Sequence, residues 1–116
     1  MKAEKDKRLE FLQGTLEMLV LKTLLMGELH GYGIAQSIRQ ASDQALSIEA
    51  GSLYQALQRL ELQGLIKAGW RSSETGRRAR YYKLTPAGRR KLAASVSKWE
   101  DFVAAIGSVL HPKVVP

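Results

Sequence analysis

Apolar residues in the first forty positions predict two helices separated by a glycine-rich turn. Eight of the eleven residues over 16–26 are apolar, with Thr15 as a candidate N-cap and Gly27 as a stop signal. After the turn, apolar residues at helical spacing predict a second helix over residues 32–41. His30 lies in the turn and is assigned a turn or packing role, without chemistry of its own.

A third helix is predicted over residues 50–63, where leucines share one face and Gly64 ends the pattern. The opposite face has few of the Lys and Glu residues that are usual on a solvent-facing helix. Its residues are Gly51, Ser52, Gln55, Gln58 and Arg59. Amides, hydroxyls and guanidinium groups can read base edges in the major groove of DNA. Tyr54, on the flank, either bonds a phosphate or packs at the boundary.

Two strands are predicted over residues 65–71 and 80–84, because a Ser-Ser-Glu-Thr-Gly turn separates them. Neighbouring strand residues point to opposite sides, so one of Tyr81 and Tyr82 is expected on the core. Trp70 is assigned to packing within this hairpin. Just before the third helix, alternating apolar residues over 46–48 suggest a very short further strand.

A last helix is predicted from the N-cap Thr85 to about Leu110, with Pro86 at its first position. Its apolar residues recur at spacings of four and three, which is a heptad pattern. This seam consists of Leu92, Val96, Trp99, Val103, Ile106 and Leu110. A second copy of the chain is the simplest partner, and Phe11 is expected at the same interface. Packing back on its own domain is the alternative.

This order of elements predicts a winged helix-turn-helix, mainly α with a small β-hairpin, plus a long C-terminal dimerisation helix. We divide the chain into an N-terminal arm or short helix (1–14), the DNA-binding domain (15–84), and the dimerisation helix with its tail (85–116). The third helix, 50–63, is then the recognition helix for the major groove. The hairpin, 66–84, is the wing for the backbone or minor groove.

The positive charge supports this interpretation, because it is concentrated in one stretch. The 116 residues carry a net charge of +7. Residues 67–91 contain nine basic residues and one acidic residue, whereas the rest of the chain is close to neutral. A clustered charge suits phosphate binding, since counterion release grows with the number of phosphates neutralised. A solvated basic face is the alternative.

Composition argues against several kinds of active site. The chain has no cysteine, and its two histidines, His30 and His111, are far apart, so neither a metal nor a cofactor is predicted. Because no nucleophile–base pair stands out, no enzymatic activity is expected. No apolar run reaches the length of a membrane span and no signal peptide is recognised, so the expected location is the cytoplasm.

Five segments in register resemble PadR-family transcriptional regulators. They are residues 12–16, 30–34, 51–57, 60–66 and 76–85, within a resemblance over residues 9–92. The C-terminal part is similar to the subfamily with a single dimerisation helix. The resemblance implies a bacterial homodimer, usually a repressor, that binds inverted-repeat operators in double-stranded DNA and is often released by a small molecule. A winged helix that contacts protein or RNA, without sequence-specific DNA binding, is the alternative function.

The resemblance also implies contact residues, by position. Tyr32 would touch a phosphate, and the recognition helix and wing would supply the other contacts. Together with the outward-facing residues of the third helix and the basic second strand, the expected DNA contacts are Tyr32, Ser52, Tyr54, Gln55, Gln58, Arg59, Gly76, Arg77, Arg78 and Arg80. Ala79 departs from the proline or basic residue that many relatives have there, so the detail of the wing contact stays open.

Trp99 lies in the middle of the seam and has two interpretations. In some relatives, a tryptophan at a similar place stacks on flat aromatic ligands between subunits. Trp99, Phe102 and Val103 are therefore candidate contacts for a small aromatic effector. The favoured alternative is that Trp99 packs against N-terminal residues of the partner subunit, such as the partner's Phe11.

Overall fold

The computed structural model describes residues 14–72 and 74–114. Helix α1 is already formed at residue 14, the first one described, and continues to residue 24. The later elements are β1 (Leu29–His30), α2 (Gly31–Ala41), α3 (Ala50–Leu62), β2 (Ile66–Ser72), β3 (Arg78–Leu84) and α4 (Pro86–Leu110). The fold is the predicted winged helix with a long C-terminal helix. Most of the predicted N-terminal arm, with Phe11, lies outside the described residues.

One hydrophobic core joins α1, α2, α3, the sheet and the beginning of α4. Its most completely buried large side chains are Val20, Leu21, Ile34, Leu57 and Leu60. Burial of each such side chain stabilises the fold by roughly 1.5–3 kcal/mol relative to leaving it exposed. The leucine face predicted for α3 is therefore the face that holds this helix on the domain, and its polar face remains outside.

The antiparallel sheet has the order β1–β3–β2. At the base of the β2–β3 hairpin, the inner face packs on the core, where Ile66, Tyr82 and Leu84 are buried. The outer face carries the alternate residues, among them Lys67 and Lys83, which are exposed. The prediction that one of the paired tyrosines packs on the core is confirmed by Tyr82. Burial raises the pKa of the Tyr82 hydroxyl although Arg80 acts in the opposite direction, so this side chain is neutral at physiological pH.

Two local predictions were wrong. Thr15 does not cap α1 but lies within it, because the helix already includes residue 14. Residues 46–48 are irregular, although Leu46 and Ile48 pack against the core as alternating residues would. The third strand is instead β1, where Leu29 pairs with Tyr82 and His30 with Tyr81. A strand of two residues is too short to show an alternating apolar pattern in the sequence. Strand β1 can therefore be recognised only from its pairing with β3.

The start of α4 is fixed against the turn between α3 and β2. The Thr85 hydroxyl accepts the Gly88 N–H at 3.0 Å, as the N-cap prediction requires, and donates to the Gly64 carbonyl at 2.8 Å. The Thr85 N–H also donates to the Leu65 carbonyl at 3.2 Å. Gly88 is buried so tightly against this carbonyl that a Cβ atom would overlap it. The direction of α4 is therefore set by the end of the predicted recognition helix.

Candidate nucleic-acid interface

The outward face of α3 is a polar surface beside the basic hairpin. Gly51, Tyr54, Gln55 and Gln58 are exposed and Ser52 is half-buried, whereas Leu53, Ala56, Leu57 and Leu60 are buried on the other side. The outward orientation expected of these residues from their spacing is thus present. Because amide side chains form directional hydrogen bonds, this surface has the chemistry of a base-reading helix.

Arg59 and Arg80, both expected DNA contacts, are held by acidic residues of the domain. Arg59 Nε donates to Glu17 Oε1 of α1 at 2.7 Å. Arg80 Nη2 donates to Glu61 Oε2 at the end of α3, also at 2.7 Å. Each pair joins residues of different elements, so no sequence spacing could indicate it. These contacts orient the two guanidinium groups and partly neutralise them.

Two tyrosines border the N-terminus of α2. Tyr32 is 70% exposed, and its hydroxyl accepts a hydrogen bond from Gln36 Nε2 at 2.8 Å. Tyr54 leans from α3 so that its hydroxyl oxygen would lie 3.3 Å from a Cβ built on Gly31. His30 caps the helix, with Nδ1 accepting the Gly33 N–H at 3.0 Å, which gives a physical basis to its predicted turn role. A helix N-terminus favours a nearby anion, and the Tyr54 hydroxyl lies beside it.

The tip of the wing exposes arginine and tryptophan together. Gly76 has φ +82°, a left-handed conformation that suits glycine in the turn. Arg77 and Arg78 are exposed, and the Arg78 guanidinium lies 5.7 Å from the centre of the Trp70 ring. Trp70 is 60% exposed, and its packing is within the hairpin, as predicted, against Arg78 rather than on the core. Trp70 lies on the inner face of the hairpin, but further along it than the core extends, opposite its ladder partner Arg80.

The seam of α4 divides into a packed part and an uncovered part. Leu92 is buried and Val96 is half-buried against the core, so the beginning of the helix packs on its own domain. From Trp99 onwards the apolar side chains are 38% to 66% exposed, at Trp99, Val103, Ile106 and Leu110. Phe102 (49%) and Val109 (79%) widen the uncovered stripe. The distal half of α4 thus lacks a partner within the part of its own domain that the structure describes.

Comparison with known proteins assigns this architecture. The model of the Transcriptional regulator PadR-like family matches residues 20–94. A transcriptional regulator of Mycobacterium tuberculosis is 34% identical over 97 residues, which cover 84% of this chain and 87% of that protein. The chain belongs to the PadR-like family of transcriptional regulators.

Solved structures support the same assignment for this PadR-like regulator. A transcriptional regulator from Clostridium thermocellum superimposes with a TM-score of 0.79 at 31% identity, covering 90% of this chain and 99% of the other. A PadR family regulator from Eggerthella lenta gives a TM-score of 0.77 at 31% identity, covering 97% and 96%. The fold and the family expected from the sequence are therefore both confirmed.

Family membership also bears on the predicted chemistry. The PadR-like family consists of transcriptional regulators, which confirms that this chain is not an enzyme. Among residues 14–72 and 74–114, no group of three or more His, Asp or Glu residues is placed to hold a metal ion. Within the same ranges, no helix has the length and apolarity that crossing a membrane requires.

Proposed function

We propose that this PadR-like regulator is a homodimeric repressor that binds an inverted-repeat operator in double-stranded DNA. The recognition helix, residues 50–63, enters the major groove, and the wing, residues 66–84, lies on the backbone or in the minor groove. The observation that carries this proposal is the exposed amide face of α3 beside a hairpin tip that bears Arg77 and Arg78. Polar side chains that read bases and cations that bind phosphates are the two contact types that such recognition needs.

The proposed contacts differ in what they contribute. Gln55 and Gln58 read base edges, with Ser52 beside them, because their side chains extend from the exposed face of α3. Tyr32 and Tyr54 bind phosphate at the N-terminus of α2. At the wing, Gly76 permits the tight turn that presents Arg77 and Arg78. Arg59 and Arg80 are positioned by Glu17 and Glu61, so we assign them a smaller share of the affinity.

The dimer forms through the uncovered half of α4. Leu92 and Val96 begin the seam on the domain itself, and Trp99, Val103, Ile106 and Leu110 continue it toward a second copy. Phe11 is proposed at the same interface from its place in the sequence. A two-fold dimer presents two recognition helices to two half-sites of opposite orientation, which is the symmetry of an inverted repeat. The dimer interface and the operator symmetry are therefore one proposal.

A small aromatic effector is proposed at the same interface. The Trp99 and Phe102 rings lie 6.3 Å apart with an interplanar angle of 45°, and Val103 is the next residue. Both rings are about half-exposed, so flat ligands have access to them before a second subunit covers the seam. Ligand stacking there would change how two α4 helices pack, and hence the distance between the recognition helices.

The test of DNA binding is the salt dependence of affinity. With an operator selected from random duplexes, Arg77→Ala with Arg78→Ala should weaken binding to all sequences. The slope of log K against log salt should decrease by about 0.9 for each phosphate that the variant no longer neutralises. Arg77→Lys with Arg78→Lys is the matched control, because it retains both charges. An unchanged affinity and slope in the alanine variant would refute the wing assignment, and equal binding to duplex RNA would refute DNA specificity.

The two tryptophans provide a second readout, one at each proposed interface. Trp99→Phe leaves Trp70 as the only indole, and its emission should change when operator duplex is added. Trp70→Phe leaves Trp99, whose emission should respond to protein concentration as the dimer forms. If Trp70 emission did not change on operator binding, Trp70 would not lie at the DNA interface, and the proposed function would still stand.

A further inference from the structure

The outer face of the wing places two lysines directly opposite each other. Lys67 of β2 and Lys83 of β3 are partners in the antiparallel ladder, and both are exposed. Side chains directly opposite on one face have Cβ atoms about 4.5–5.5 Å apart, where like charges are destabilising. This repulsion is relieved when an anion lies between the two ammonium groups.

A notch opens beside these lysines. Gly69 lies two residues after Lys67 on the same face, and a Cβ built there would meet nothing within 4 Å. The resulting open cavity has a volume of about 240 Å³, and its lining residues are Glu28, Lys67, Ala68, Gly69, Trp70, Arg71, Tyr81 and Lys83. We call it the outer-wing notch. Its volume is sufficient for an anion of several atoms.

The third cation of the notch is held in place by two neighbours. The Arg71 guanidinium lies 3.9 Å from the centre of the Tyr81 ring. Its Nη1 also donates to Glu28 Oε2 at 2.9 Å, and the Arg71 side chain remains 53% exposed. The stacked ring and the carboxylate together restrict the rotamers of a long side chain. The notch therefore combines three cations with one acid, and one of the cations is preorganised.

We propose that the outer-wing notch binds a phosphate group. Two ammonium groups and a planar guanidinium are the donors that a multiply charged, tetrahedral anion matches well. The inference deepens the proposed function, on which its duplex source rests, by adding contacts from Lys67, Arg71 and Lys83, which lie on the opposite face of the hairpin from Arg78 and Arg80. The phosphate comes either from the backbone of a bound duplex or from a free phosphate-bearing molecule, and the two sources predict different results.

The test compares variants of equal charge. Lys67→Gln with Lys83→Gln removes two charges from the notch. Lys98→Gln with Lys113→Gln removes two exposed charges that lie outside the basic stretch 67–91 and is the matched control. Gly69→Val fills the notch without changing the charge, and its β-branched side chain suits a strand. The melting temperature of each variant, without phosphate, establishes that the domain is folded.

The first arm titrates inorganic phosphate against chloride at constant ionic strength. The Gly69 amide resonance and the melting temperature should respond saturably in the wild type and the control. Both notch variants should bind phosphate at least tenfold more weakly; this pattern supports a free phosphate ligand. Because Gly69→Val replaces the glycine whose amide reports binding, the melting temperature is the readout common to all variants.

The second arm measures the salt slope of operator binding. A duplex phosphate in the notch predicts a slope lower by about 1.8 in the Lys67→Gln, Lys83→Gln variant than in the control, for two contacts at about 0.9 each. Notch variants that match the control in both arms would overturn the proposal. Failure of the wild type and of every variant to bind duplex would refute the proposed function, whereas the first arm would still test the notch.

Discussion

The wing and the distal half of α4 both extend beyond the hydrophobic core, yet they expose opposite chemistry. The wing satisfies its backbone by pairing β2 with β3 and presents Arg78 and Arg80 on the same face as an exposed Trp70. The distal part of α4 satisfies its backbone internally and presents Val103, Ile106 and Leu110 around Trp99. Exposure alone therefore does not identify a partner. The neighbours of each tryptophan indicate the chemistry that a partner would need, because cations attract phosphates and burial of an apolar stripe lowers the free energy.

The two surfaces should consequently respond to salt in opposite ways. Binding through the wing should weaken steeply as salt rises, since counterions compete for phosphate. Association through α4 should be almost insensitive to moderate salt, because apolar burial does not depend on charge screening. A variant that damages one surface should leave the other property unchanged, and the following substitutions test that separation.

The largest effect is expected from Val103→Glu on α4. A carboxylate within an apolar seam must be desolvated on association, so the dimer should dissociate to about half its mass. Light scattering measures this directly, and operator binding should fall with the loss of paired recognition helices. Ala94→Glu is the control, because Ala94 is exposed on the side of α4 away from the seam. An unchanged mass for Val103→Glu would contradict the seam assignment.

Gly88→Ala should break the junction on which both surfaces depend. The added Cβ would overlap the Leu65 carbonyl and lie 2.7 Å from Leu84 Cδ1. Because a carbonyl of the backbone cannot rotate away as a side chain does, we expect unfolding to become easier by about 3 kcal/mol. Chemical denaturation measures the change.

Gly107→Ala is the control, because it lies in the same helix with nothing within 4 Å of the new Cβ. It should instead stabilise the folded protein by up to about 1 kcal/mol. Equal effects at both glycines would contradict the role of the junction.

The Gly88 contact shows where prediction from sequence ends. Local patterns predicted α4 correctly from Thr85 to Leu110, because an N-cap, a proline at the first position and a heptad all lie within the segment itself. The leucine face of α3 was predictable for the same reason. In contrast, the closeness of Gly88 to Leu65 depends on how two elements meet. The hydrophobic periodicity of neither segment predicts the distance between Gly88 and the Leu65 carbonyl.

The candidate site follows the same rule. The exposure of Gln55 and Gln58 was predictable from helical spacing, but the Arg59–Glu17 pair joins residues 42 positions apart. Strand β1 likewise exists only because Leu29 meets Tyr82 in the assembled sheet. Alternation gives the face of the hairpin on which Trp70 lies, whereas the exposure of Trp70 depends on where the core ends along that face. Side-chain direction is a local property, and side-chain environment is not.

Gln55→Ala tests base reading separately from charge. Removing a bidentate amide interaction should cost about 1–3 kcal/mol of discrimination at one base pair, with little effect on other positions. The salt slope should stay unchanged, since the number of neutralised phosphates is the same. Selection from a random duplex pool measures the relaxed position, and Gln40→Ala, on an exposed site of α2, is the control. A uniform loss across all base pairs would move Gln55 from base reading to general positioning.

The smallest effect is expected from Glu61→Gln, which separates the structural and DNA-binding uses of Arg80. The Arg80–Glu61 pair is partly exposed on both sides, with side-chain exposures of 42% and 35%, so its loss should change unfolding free energy by less than about 1 kcal/mol. Operator binding should nevertheless become tighter, because the substitution removes a negative charge beside the wing and leaves Arg80 available to a phosphate. The salt slope should then increase by up to about 0.9.

Glu100→Gln removes the same charge from an exposed site on α4 and should leave the slope unchanged. If Glu61→Gln weakened operator binding instead, the ion pair would be the element that positions Arg80, and the wing would depend on its acidic neighbour rather than being restrained by it.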